Sequence, residues 1–131
     1  MPYTMEFTSD GKGLLRKGWG VVKGQEIIDS NLELLTDEKR LAGLVYARAD
    51  FSEAAQVEIA SEDIHRMVES NTQMARINPS VVVVVIAPRD AMFGMARMWE
   101  TLADSIGWKT KVVRTAPEAD AWLESELALG R

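Results

Sequence analysis

The chain has 131 residues, 47% of them apolar and 27% charged, which is the composition of one globular domain with a sizeable core. It has no Cys, and this excludes disulfides, thiolate nucleophiles and sulfur-ligated metal together. The formal net charge is −5, and the basic residues cluster no further than Arg16-Lys17. Nucleic acid is therefore excluded as a main partner, because phosphate binding needs a concentrated positive surface.

The opening MPYTMEFTSD has neither a basic region nor an apolar run of secretion-signal type. No apolar run approaches membrane-spanning length. The expectation is a cytoplasmic protein, a single domain over residues 1–131.

Tyr3 to Thr8 alternates and reads as an edge strand. Ser9-Asp10-Gly11-Lys12-Gly13 is a turn, with Asp-Gly as the hairpin signal. Leu14 to Val22 returns as a second strand, with Leu15, Trp19 and Val21 on one face. Gly18 and Gly20 within it suggest a bulge or a close backbone approach.

Gly24 to Leu35 has helical spacing, with Ile27, Ile28, Leu32, Leu34 and Leu35 on one side and Asn31 among them. A buried amide must be paired, and a neighbouring backbone group is the expected partner. Leu41 to Ala49 reads as the third strand, and Asp50 to Ala60 as a loop in which Gln56 to Ile59 is extended.

Ser61 is placed to cap a second helix running to about Arg76, with Glu62 and Asp63 at its positive end. Ile64, Met67, Val68, Asn71 and Ala75 share its apolar face, and Asn71 is read as Asn31 is. His65 falls on the polar flank; as the sole His it belongs to no multi-His metal site.

Val81 to Ala87 reads VVVVVIA, between Asn78-Pro79-Ser80 and Pro88-Arg89-Asp90. Such a short, β-branched, uniformly apolar run is a central parallel strand covered on both faces. Asp90 to Ile106 is the third helix, closed by Gly107. Trp108 to Arg114 is the last strand, and Thr115-Ala116-Pro117-Glu118 is a capping box opening a fourth helix to about Leu129.

The order is β-β-α-β-α-β-α-β-α. The class is α/β, with a single mixed, mostly parallel sheet of about five strands and helices packed on it.

Three stretches carry a resemblance: Trp19-Gly20-Val21-Val22-Lys23-Gly24-Gln25-Glu26, Val85 through Met98, and Val112-Val113-Arg114 to Ala121-Trp122-Leu123. Together they resemble the small bacterial STAS-like proteins. These share the SpoIIAA-like fold of the anti-sigma-factor antagonists and are grouped at times with lipid-binding CRAL-TRIO folds. The resemblance implies a regulatory or protein-binding module, or else a carrier of a lipid or small apolar ligand. In anti-sigma-factor antagonists a partner kinase phosphorylates a Ser at the start of the helix after the third strand. The matching region here runs from Asp50 to Ser61, so the candidate phospho-acceptors are Ser52 and Ser61. The family's Asp-Ser-Ser-Gly style motif is absent, and a Ser at a helix start also serves as a simple cap.

No catalytic constellation is visible, and no cofactor is expected. A nucleophile needs a base in reach, and the glycine-rich stretches lack phosphate-loop spacing. One place departs from the helical pattern. Phe93 falls with Arg97, Glu100 and Asp104, away from the apolar stripe and just past the exit of the valine strand. Ligands of open α/β sheets bind at that edge. Arg89, Asp90, Met92 and Phe93 are thus the candidate contact patch for a protein partner or a ligand, unless the Asp50–Ala60 loop covers Phe93. A homodimer is a further expectation, because the opening strand is an unprotected edge.

Overall fold

The computed structural model describes residues 2–129. One five-stranded sheet is built from β1 (Tyr3–Phe7), β2 (Gly13–Lys23), β3 (Tyr46–Glu58), β4 (Val82–Ile86) and β5 (Lys109–Val113), in that spatial order. β1 is antiparallel to β2, and the other three pairings are parallel. The helices are α1 (Gly24–Leu35), α2 (Glu38–Ala42), α3 (Ser61–Ile77), α4 (Asp90–Ala103) and α5 (Ala116–Leu129).

Each parallel crossover steps to the next strand in the same direction. Crossovers of one hand that advance one way put their helices on one face of the sheet. So α1, α3 and α4 pack side by side over the inward faces of the strands, while α5 returns on the other face against β3, β4 and β5.

The valine strand is interior and dry on both faces. Val83 and Val85 enter the core under the helices, and Val84 and Ile86 enter the core under α5 with Ala119 and Leu123. It lies one place from the middle; β3 is the central strand.

Three local readings are corrected. Leu41 opens no strand: it belongs to the short helix α2, capped by Asp37, and β3 starts at Tyr46. The stretch Asp50–Ala60 is no loop, because β3 runs on to Glu58. Its pairing with β2 slips between Lys17 and Trp19 and again between Gly20 and Val21, and each slip adds a residue to β3. The inward residues Phe51, Ala54 and Val57 therefore fall three apart, and the alternation that marks a strand is lost. The glycines at these slips match their expected roles. A Cβ on Gly18 would lie 2.8 Å from the Phe51 ring, and Gly20 has φ of 60°. Thirdly, Ala60, not Ser61, is the N-cap of α3; its N–H donates to Asp63 Oδ2 at 2.9 Å.

Leu15, Trp19 and Val21 do share one face of β2, and it is the face that α5 does not reach; they are 40%, 38% and 38% exposed. Leu14, Gly18 and Val22 take the inward face.

The buried amides bond side chains rather than the backbone groups expected. Asn31 Nδ2 donates to Ser70 Oγ at 3.0 Å, and its Oδ1 accepts from Arg16 Nη1 at 2.7 Å. Asn71 Oδ1 accepts from Trp99 Nε1 at 2.9 Å. A third, Asn78, does bond backbone, donating to Leu41 O and Leu44 O at 2.9 and 2.7 Å and tying the start of β4 to the α2 turn.

Candidate functional site

Parallel strands of one sheet share an exit edge, and at this edge the chain leaves β4 into α4 and β5 into α5. Two arginines close it. Arg114, just past β5, donates from Nη1 to Asp90 Oδ1 at 2.7 Å and to Pro88 O at 3.1 Å. Its guanidinium also lies over the Phe93 ring, 4.1 Å from the centroid. Arg89, just past β4, donates from Nη1 to Ala55 O on β3 at 3.4 Å.

The structure thus brings Arg89, Asp90 and Phe93 to one rim. The Asp90 side chain is 94% exposed although it pairs with Arg114. Met92 is set apart from them. It is buried in the core under α4, so it offers no surface for contact. Phe93 is half-buried, with one side on that core and the other under Arg114 rather than under a loop.

The two serines differ. Ser52 is exposed at the first slip in β3, and its hydroxyl donates to Asp50 Oδ1 at 2.5 Å while its N–H reaches the same oxygen at 2.8 Å. Ser61 is exposed in the first turn of α3 and takes no part in the cap. His65 is exposed on α3. Among the described residues, no group of three or more His, Cys, Asp or Glu is placed to hold a metal ion. Among the same residues, no helix is long and apolar enough to cross a membrane.

Arg114 was the missed member of the rim. Its signal was positional, since it stands directly after its strand at the same edge as Arg89. Arg16 was missed for another reason. It shares strand parity with Leu14, Gly18 and Val22, so it turns a charge toward the core.

No family model matches the chain, and no curated protein matches it. A search of solved structures gives the anti-sigma factor antagonist SpoIIAA in its unphosphorylated form, with a TM-score of 0.58 and 8% sequence identity. The match covers 93% of this chain and 97% of that one. The chain has the SpoIIAA fold. At that identity the likeness is one of backbone course, in keeping with the α/β sheet and the STAS-like resemblance.

Proposed function

We propose that this chain is a non-enzymatic regulatory module that binds a protein partner at the exit rim formed by Arg89, Asp90, Phe93 and Arg114. The observation that carries this reading is the Arg114 arrangement. A guanidinium fixed by a carboxylate, a carbonyl and a ring presents charge to solvent without freedom of its own. Side chains already ordered lose less entropy when a partner docks. The rim joins the Asp90 carboxylate, held by Arg114, to the neighbouring Arg89, and this mixture of charge suits a partner surface that also carries both signs. The SpoIIAA fold, met elsewhere in an anti-sigma factor antagonist, supports a role in protein contact. The lone exposed His and the absence of Cys support a role without catalysis.

The test is direct binding. A partner captured by the full chain from its source cell is purified, and its affinity is measured for the natural chain, Arg89→Glu and Asp90→Lys. Both positions are exposed, so both variants keep the fold. A loss of roughly tenfold or more, with a rate of association that falls as salt rises, is expected for each. Equal affinity in both variants removes the site.

A further inference from the structure

The inward row of β2 contains one charged residue, Arg16, placed opposite Ala49 of β3 and Met5 of β1. Its Nη1 donates to Asn31 Oδ1 at 2.7 Å and more distantly to Tyr3 Oη at 3.5 Å. Its Nε is buried and has no partner. None of the ion pairs among the described residues involves it. The surrounding acceptors are neutral, and Asn31 already spends its own N–H on Ser70. Arg16 is half-buried, but its Nε is fully covered, and a covered donor of a cation left without an acceptor is costly unless an anion joins it.

A cavity of about 90 Å³ lies beside this group, between the sheet and helices α1, α3 and α4. Its walls are almost wholly apolar, with Ile27, Ile64, Met67, Met92 and Trp99 among them, and Arg16 is the one charged residue lining it among the described residues. Methionines adapt their shape to varied contents. At about 10–15 Å³ for each water-sized group, there is room for roughly six to nine such groups.

We propose that this cavity takes a small apolar carboxylic acid, its carboxylate on Arg16 and its hydrocarbon part among the helix side chains. A guanidinium fork matches a carboxylate with two parallel bonds, and Nε supplies the donor left unused here. A single cation matches a monoanion; a phosphate monoester would bring a second negative charge with no partner. An amine would be repelled. The site is independent of the exit rim and of the partner-binding reading, since its residues lie under the helices.

The test uses the full purified chain with hexanoate, hexanol and hexylamine, followed by tryptophan emission and calorimetry. Trp99 and Trp108 line the cavity and report its filling. Hexanoate is expected to bind at least about tenfold more tightly than hexanol, as a charged hydrogen bond contributes that much, and hexylamine more weakly than both. Arg16→Met is expected to keep hexanol binding and lose the preference for the acid. Asn31→Asp, which gives Arg16 an internal carboxylate, is expected to lose the preference as well. If Arg16→Met does not fold, the three-ligand order in the natural chain and the Asn31→Asp result decide. Equal binding of acid and alcohol to the natural chain, no binding of either, or an acid preference that survives the folded variants would overturn the assignment.

Discussion

Arg114 covers Phe93, with its guanidinium carbon 4.1 Å from the ring centroid and its Nη1 2.7 Å from Asp90 Oδ1. One residue after β5 thereby closes the start of α4, the helix that follows β4. Two strand-to-helix connections, β4 to α4 and β5 to α5, are joined at the exit edge by a contact that spans 24 residues of sequence.

Arg114→Ala should cost about 1 kcal/mol, because an exposed ion pair and an exposed cation–π contact are each weak. Scaled to a domain of this size, that is a fall in Tm of roughly 3–5 °C. Arg114→Lys keeps the charge and loses the flat stack, so its loss should lie between those of the natural chain and the Ala variant. Thermal melts of the three chains check the order. Equal Tm values for the natural and Ala chains would show that the rim is not held by this residue.

The strand core was legible in the sequence because Val81 to Ala87 leave no doubt about their environment: no pattern but two dry faces explains five valines followed by isoleucine and alanine. The exit edge followed from topology. What sequence did not show was β3 beyond Asp50. Two slips against β2 break its alternation, and periodicity has no means of detecting an inserted residue. The rim was half legible for a related reason. Local spacing brought Arg89, Asp90 and Phe93 together, but Arg114 joins them through sheet order. The same local spacing wrongly included Met92, whose position on α4 turns it under the helix. The Arg16–Asn31–Ser70 chain joins β2, α1 and α3, and only a three-dimensional arrangement brings such residues into reach.

The two serines should answer differently to added charge. At Ser61 a carboxylate would sit in the first turn of α3, where the positive helix end favours it. At Ser52 it would meet Asp50, which already accepts two bonds from that residue, and stand next to Glu53. Ser61→Glu is therefore expected to leave stability within about 0.5 kcal/mol, and Ser52→Glu to lower it by about 1 kcal/mol. Urea unfolding of both variants measures the difference. The reverse order would mean that the Ser52–Asp50 turn contributes nothing.

The bond between Asn71 and Trp99 fastens α3 to α4. Asn71→Leu removes the acceptor and leaves the indole N–H of Trp99 facing an apolar wall, which should cost about 1–3 kcal/mol. The double change Asn71→Leu with Trp99→Phe removes both polar groups. It should recover part of that loss against Trp99→Phe alone, because no donor is left stranded. A double-mutant cycle from denaturant curves gives the coupling, and a coupling near zero would show that the two helices are held by packing only.

Gly18 and Gly94 make a paired prediction of opposite sign from the same substitution. A Cβ on Gly18 would lie 2.8 Å from Phe51 Cδ1 and 2.9 Å from Val22 Cγ2, both inside the core on the inward face of β2. Neither side chain is a loose end, so the methyl must displace packed atoms; Gly18→Ala should cost about 1–3 kcal/mol. Gly94 lies on the exposed side of α4, and a Cβ there would meet nothing within 4 Å. Alanine suits a helix interior better than glycine and narrows the unfolded ensemble, so Gly94→Ala should gain about 0.5–1 kcal/mol. Chemical denaturation of the two single variants and their combination decides the matter. The sites share no contact, so the effects should add, and the combined chain should stay less stable than the natural one. A stabilising Gly18→Ala would mean that Phe51 has room to move, and the tight β2–β3 approach inferred from its ring would be wrong.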